Sequence, residues 1–407
     1  MCGRIALAGL LVVASAALAA ATVPSAASAA GGATAATCDG QWQLVQSYDH
    51  SEQYGEIDSL TGVVALSSGD QWAVGSWTQY PDAYTFHPLV ERRDAASGSW
   101  GVVASPNSLA RNSYLNAVAG SGPNDVWAVG GADDGGSTYE TLVEHWDGSS
   151  WSIVSTASFP GVLHGVVALG PDNVWAVGNE NYPGRGLIEH WDGTSWTATY
   201  LRYAALLRGI AAVGARQIWA VGQRYGRNPY GDATLTLRFN GRSWSRVPSP
   251  DPLSGTDTDQ NWLTSVSAVT ANDVWAVGRY GNHDGGPPDQ TLIEHWNGGR
   301  WTVVPSPNPG GPSVDNDLWG VAARGSNDVW AVGGVGAFLN PQFSSPVSLH
   351  WNGSTWAQAA VAAPQAGELF GVAVEPGASG ISAVGDTVKP ADPFPYVGTL
   401  AEHLCTA

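Results

Sequence analysis

Asp125-Val126-Trp127-Ala128-Val129-Gly130 is the stretch of sequence that decides the fold, because six further copies of it recur along the chain. The last copy is degenerate and has Ser382 at the tryptophan position. Repetition with a period of 44 to 56 residues is typical of the four-stranded blades of a β-propeller. The copies end at Gly75, Gly130, Gly178, Gly222, Gly278, Gly333 and Gly385.

Each repeat divides into four segments of strand length. In one repeat, a Leu-x-Gly-Val segment at 163–166 precedes the motif strand, and in another the third segment is 141–146 and the fourth is 151–154. Asx-Gly pairs such as Asp147-Gly148 join the last two segments and are strong signals of a β-hairpin. The sequence therefore predicts an all-β fold, a seven-bladed β-propeller of four-stranded antiparallel blades.

The two ends of the chain complement one another. The last repeat stops at Cys405, after its third strand, whereas the segment 41–45 looks like a fourth strand without the preceding three. In this register Cys38 and Cys405 fall on the same turn position. We therefore expect the N-terminal strand to close the last blade, which removes a free sheet edge. We also expect a Cys38–Cys405 disulfide, which suits an oxidising compartment.

Residues 1–30 have the features of a signal peptide: Arg4, an apolar Ala-rich run, and small residues before a cleavage site. An uncleaved membrane anchor is the alternative, but no charged stop follows the run. We predict a disordered linker at 31–37 and the propeller at 38–407, in a secreted, extracellular and monomeric protein without membrane insertion. The net charge of −18 disfavours binding to nucleic acid.

The repeats resemble those of known propellers. The Val-Gly strand ends, the Trp-Asp/Asn-Gly turns and the Trp that opens the fourth strand resemble kelch-type propellers. The DVWAVG and HWDG-x-x-W motifs are similar to those of secreted bacterial propeller proteins of unassigned activity. The resemblance covers about residues 38–405 and implies a fold without implying an activity. The copper site of galactose-oxidase-like propellers would lack its cysteine here, and Asp192-Gly193 departs from the spacing of sialidase boxes.

Most tryptophans and histidines occupy repeating positions. Seventeen of the 20 tryptophans recur from blade to blade, and only Trp77, Trp262 and Trp319 do not. Residues that recur in every blade most simply pack the blades together. The histidines of the third strand are too dispersed to share a metal, so we expect no metal site and no cofactor. These five are His145, His190, His295, His350 and His403.

One position of the repeat varies from blade to blade, although the residues on either side of it hardly change. It follows the leucine of the first strand, and in a propeller it lies near the channel mouth. Variation there is expected for a funnel shaped around an asymmetric ligand. The alternative is that a solvent-exposed position has drifted. These seven residues, here called the ring positions, are Thr61, Asn116, His164, Arg208, Thr264, Trp319 and Phe370. Five of them and the variable loops give our candidate ligand-binding residues: Asn116, His164, Arg208, Trp319, Phe370, Trp77, Tyr182, Arg185, Tyr225, His283 and Asp284.

Aromatic side chains mixed with Arg, Asp and Asn suit carbohydrate, and they suit a protein partner nearly as well. The leading hypothesis is a secreted non-catalytic binding protein that recognises extracellular glycan or cell-wall carbohydrate through the loop-rich face. A carbohydrate-active hydrolase or lyase is one alternative, with His164, Arg208 and Asp284 or Asp257 as its candidate groups. A scaffold for an exported protein partner is the other. We assign no catalytic residue from the sequence.

Overall fold

A computed structural model describes the greater part of one compact unit, Cys38–Ala407. Residues 1–39, which include the predicted signal peptide, the linker and Cys38, lie outside the described residues. The described ranges are 40–49, 57–79, 82–95, 98–106, 112–133, 138–156, 159–181, 184–226, 231–256, 258–282, 288–336, 344–362, 366–377, 380–389 and 396–405.

The described residues form 27 strands. The first fourteen are β1 (Trp42–Leu44), β2 (Asp58–Ala65), β3 (Gln71–Gln79), β4 (Asp82–Arg93), β5 (Trp100–Val102), β6 (Asn112–Gly122), β7 (Asp125–Asp133), β8 (Glu140–Trp146), β9 (Trp151–Ile153), β10 (Val162–Ala168), β11 (Val174–Asn179), β12 (Arg185–Trp191), β13 (Trp196–Gly214) and β14 (Gln217–Tyr225). The others are β15 (Asp232–Phe239), β16 (Trp244–Val247), β17 (Asp259–Thr270), β18 (Asp273–Asn282), β19 (Gln290–Trp296), β20 (Trp301–Val303), β21 (Asp315–Gly325), β22 (Asp328–Gly336), β23 (Ser344–Trp351), β24 (Trp356–Ala359), β25 (Gly367–Val374), β26 (Gly380–Lys389) and β27 (Tyr396–Cys405).

Antiparallel pairing groups these strands into four-stranded blades, as the sequence predicts. β2 to β5, β6 to β9 and β21 to β24 each form a separate four-stranded sheet. β13 belongs to two blades, because its first half pairs with β12 and its second half with β14. The sequence did not predict this continuous strand. With β13 divided in this way, the pairings are consistent with seven blades, numbered here from the blade that begins at β2.

The N-terminal strand closes the last blade. β1 pairs with β27 in an antiparallel register that sets Trp42 opposite Leu404 and Leu44 opposite Glu402. β27 in turn pairs with β26, and β26 with β25. The predicted closure by the N-terminal strand is therefore confirmed. The Cys38–Cys405 disulfide stays a prediction, since Cys38 lies outside the described residues.

The hydrophobic core lies between neighbouring blades. Within the motif strand β7, Val126 to Gly130 are all buried. Trp72 of the first blade packs against Trp146 and Trp151 of the second, at ring-centroid distances of 4.9 and 5.3 Å. Equivalent aromatic triads recur at four further blade boundaries. The repeating tryptophans that form these triads hold the blades together, as the sequence predicts.

The motif glycine is required by a close approach of two strands. A Cβ atom on Gly130 would overlap the carbonyl oxygen of Tyr114 on the first strand of its blade. The other six motif glycines meet a first-strand carbonyl in the same way. The overlap occurs beside an irregularity in strand pairing that recurs in every blade, between Leu115 and Ala117 in this one. An extra residue in one strand is the hallmark of a β-bulge.

Among the described residues, no helix has the length and apolar character needed to cross a membrane.

Candidate functional site

The bulges place all seven ring positions around one cavity. Each ring position is the extra residue of its bulge, as His164 is between Leu163 and Gly165. A bulge re-aims the side chain that it carries. Together with their neighbours on the seven first strands, the ring residues line a cavity of about 210 Å³. The structure therefore brings together Asn116, His164, Arg208, Trp319 and Phe370, five of the eleven candidate residues.

Three ring positions also connect blades. The hydroxyl of Thr61 donates a hydrogen bond to the carbonyl oxygen of Leu115 at 2.9 Å. Asn116 Nδ2 donates in the same way to Leu163 O at 2.8 Å, and Thr264 Oγ1 to Leu318 O at 2.6 Å. In each case the acceptor is the first-strand leucine of the next blade. These side chains therefore hold the cavity wall in a fixed shape.

His164 and Arg208 have strongly shifted pKa values. Burial, with the charge of nearby Arg208, lowers the pKa of His164 to about 4, although a hydrogen bond with Asn179 opposes the shift. Burial and the charge of Arg279 lower the pKa of Arg208 to about 10. At neutral pH the imidazole is therefore uncharged, whereas Arg208 keeps its positive charge. The cavity wall thus offers one cation beside a neutral hydrogen-bonding ring.

Trp262 and Trp319, two of the three non-repeating tryptophans, both lie close to Arg279. The Arg279 guanidinium carbon is 4.1 Å from the ring centroid of Trp262 and 5.7 Å from that of Trp319. Cations at such distances are attracted to the faces of aromatic rings. Arg279 Nη1 is also 3.0 Å from Asp317 Oδ1. Through these contacts Arg279 fixes the two indoles. Because Arg279 is only 2% exposed, it is itself out of reach of a ligand.

Trp319 is hydrogen-bonded to one member of a group of buried carboxyl groups that interact electrostatically with one another. Its Nε1 donates a hydrogen bond of 2.9 Å to Glu368 Oε2. Burial raises the pKa of Glu368, that of Asp317 to about 6, and that of Asp386 to about 7. Clusters of carboxyl groups with raised pKa values are found preferentially at functional sites.

Arg279, Asp317 and Glu368 are not among the candidate residues predicted from the sequence. They occupy the positions directly after the motif glycine or directly before the first-strand leucine. These positions vary as much as the ring positions do, so the same comparison of blades could have found them. Together with Arg208, Trp262 and Trp319 they form what we call the Trp–Arg network, which extends over blades four to seven.

The other candidate residues lie away from the cavity or outside the described residues. Trp77 stacks on His87, with ring centroids 4.4 Å apart. Arg185 is paired with Glu180 at 2.8 Å and lies over Tyr200. Tyr225 ends β14, and its phenol acts electrostatically on Arg208. Tyr182, His283 and Asp284, like Asp257, lie outside the described residues.

The histidines of the third strands have structural partners. His145 Nε2 is 2.8 Å from Asp125 Oδ1, and the ring lies 4.2 Å from that of Trp127. His295 and His350 repeat this arrangement with an aspartate, and His190 repeats it with an asparagine. Within the part of the chain that the structure describes, no group of three His, Cys, Asp or Glu residues could hold a metal ion.

Comparison with solved structures gives the fold. YCF48 bound to D1 peptide superposes with a TM-score of 0.55 at 16% identity, over 90% of this chain and 95% of that one. YCF48 from Cyanidioschyzon merolae gives 0.53 at 14% identity, over 89% and 98%. The GH74 xyloglucanase from Xanthomonas campestris gives 0.50 at 12% identity, over 88% of this chain and 55% of that one.

The chain is a β-propeller. The identities are too low for the neighbours to indicate more than this fold. No family model matches the chain, and neither does any curated protein. Any functional conclusion must therefore rest on the site of this propeller and not on its relatives.

Proposed function

We propose that this propeller is an exported, non-catalytic binding protein that recognises an extracellular carbohydrate at the mouth of its channel. One observation carries the proposal. The seven ring positions, which vary although the residues on either side of them hardly change, converge on one cavity. Convergence of variable side chains on a rigid scaffold favours an asymmetric ligand.

The chemistry of the cavity suits a sugar unit. Trp319 and Phe370, with ring centroids 6.2 Å apart, supply apolar surface that can stack on the face of a sugar ring. Arg208, His164 and Asn116 supply polar groups for hydroxyls. At about 210 Å³ the cavity is smaller than the pockets of drug-sized ligands, which fits a single unit of a longer chain.

The Trp–Arg network supports preorganised binding. Glu368 and Arg279 fix the Trp319 indole before any ligand arrives. A side chain that is already ordered loses little conformational entropy on binding, so more of its contact energy contributes to affinity. The acidic surface and the predicted signal peptide are consistent with a protein that acts outside the cell.

A carbohydrate-active hydrolase is the competing proposal, and the raised pKa values of Glu368 and Asp317 favour it. A carboxyl group whose pKa is raised by burial, as those of both residues are, can act as a general acid. His164, with a pKa of about 4, is a weak base and would not carry this chemistry. A peptide-binding scaffold is the third proposal; one structural neighbour was solved with a peptide, which is a property of that protein alone.

A glycan array followed by titration calorimetry tests the proposal. We expect the mature protein to bind a defined set of oligosaccharides without consuming them. Trp319→Ala and Arg208→Gln should each weaken binding by about tenfold or more, the scale of one lost stacking or charged contact. Arg300→Gln, in an exposed hairpin turn of the opposite face, is the control and should bind as the wild type does.

Two results would overturn it. Hydrolysis of an array ligand that disappears in Glu368→Gln would establish the enzyme instead. A silent array together with a stoichiometric exported protein partner, released by Trp319→Ala, would establish the scaffold.

A further inference from the structure

The positive charge of this acidic protein is concentrated in one segment. Nine of its 16 arginines lie between residues 185 and 246, and the same segment holds only three acidic residues. The chain as a whole has a net charge of −18. This segment covers the outer strands of blade three and all of blade four, so it marks the boundary between them as a basic region.

At this same boundary the aromatic triad is more exposed to solvent than at the others. In the other four triads the second-strand tryptophan is 0 to 2% exposed. Trp175, its equivalent here, is half-buried, and so is Trp244 of the next blade. Phe239 stands where most other blades have a tryptophan. A groove of about 800 Å³, lined in part by Phe239, lies at this boundary.

This aromatic groove is lined by ring faces, hydroxyls and arginines. Its aromatic residues include Tyr200, Tyr203 and Trp244, and its hydroxyls include those of Thr197 and Thr199. Arg202, Arg242 and Arg246 also line it. All three arginines are exposed, and none of them forms an ion pair within the described ranges. Cations held at a groove without protein counter-charges are available to an anionic ligand.

We propose that the aromatic groove binds an anionic polysaccharide whose uronic-acid carboxylates pair with Arg202, Arg242 and Arg246. The guanidinium fork matches the two oxygens of a carboxylate. Flat aromatic faces stack on sugar rings, and the threonine and tyrosine hydroxyls bond to sugar hydroxyls. An acidic peptide shares the charge but would leave these hydroxyl contacts unused. The site is separate from the channel mouth and does not depend on the function proposed there.

Affinity electrophoresis in gels with and without polygalacturonate tests this proposal. The wild-type protein should be retarded by polygalacturonate and not by dextran, and added salt should reduce the retardation because the contacts are ionic. Arg242→Gln/Arg246→Gln should weaken the affinity by about tenfold or more, as expected when charged hydrogen bonds are lost. Both side chains are exposed, so the fold should tolerate the changes.

Arg300→Gln/Arg324→Gln is the matched control, since both arginines are exposed and lie outside the groove, and their substitution removes the same two charges. It should be retarded as the wild type is. An equal loss of affinity in the control and in the groove variant would show that only the net charge matters, and this would overturn the proposal. The absence of any retardation of the wild-type protein would also overturn it. Binding of poly-glutamate with equal or higher affinity would assign the groove to acidic peptides instead. Trp319→Ala should keep full binding to polygalacturonate, whether or not the channel mouth binds a sugar.

Discussion

At the scale of single residues, the motif glycine of each blade passes too close to the bulged first strand to carry a side chain. Gly130 lies against the carbonyl group of Tyr114, and no side chain fits between them. The bulge at Asn116 and the glycine opposite it therefore depend on one another. The bulge directs a side chain into the channel, and it can form only where the neighbouring strand has no side chain.

Gly130→Ala should lower the free energy of unfolding by about 2 kcal/mol or more, because the methyl group forces the strands apart. Gly122→Ala is the control within the same blade, since a Cβ there meets nothing within 4 Å. Urea denaturation of both variants measures the difference. Equal stabilities would show that the close approach is not a constraint.

Buried glutamates of the third strands make stability depend on pH. Burial raises the pKa of Glu189 from 4.5 to about 8. Between these values the folded protein holds a proton that the unfolded chain releases, so the free energy of unfolding falls as the pH rises. Glu91 and Glu144 are shifted in the same direction, to about 8 and about 7.

Glu189→Gln should remove its share of this dependence. Relative to the wild type, the variant should gain about 1 kcal/mol or more in unfolding free energy between pH 6 and pH 8, within the limit of about 1.4 kcal/mol per pH unit. Below about pH 4.5, where both side chains are neutral, the difference should be constant. Denaturation curves at several pH values measure it, and a difference that stays constant from pH 6 to pH 8 would contradict the shift.

At the scale of elements, the aromatic triads join one blade to the next. Trp127→Ala should destabilise the protein by about 3 to 5 kcal/mol, as expected for a fully buried indole. Trp175→Ala, at the opened boundary, should have a smaller effect because its ring is half-buried. Thermal unfolding of the two variants makes the comparison. An equal loss would contradict the open groove.

The elements also show what could be predicted from the sequence. The Asx-Gly turns and the repeat of Val-Trp-Ala-Val-Gly predict strands and blades because local rules govern them. The sequence could not reveal that Trp262 and Trp319 meet at Arg279, because these residues come from neighbouring blades and from no shared motif. The continuous strand β13 was not predicted for a related reason, since no turn residue marks where its pairing partner changes from β12 to β14.

At the scale of the whole molecule, the N-terminal strand completes the ring. The pairing of Trp42 with Leu404 is the register from which the Cys38–Cys405 bridge is predicted. Peptide mapping without reduction should find these two cysteines joined. Cys38→Ser should lower the stability by up to about 5 kcal/mol, because the bridge closes a loop that spans nearly the whole chain. Alkylation of both cysteines in the folded, unreduced protein would contradict the bridge.

The central claim is that the ring positions form the ligand site and that the Trp–Arg network holds their side chains in place. A crystal structure with an oligosaccharide identified on the array tests it most directly. We expect a sugar unit in the cavity, stacked on Trp319 or Phe370 and within hydrogen-bonding distance of Arg208. An oligosaccharide bound elsewhere on the propeller at full occupancy, with the cavity at the channel mouth empty, would contradict it.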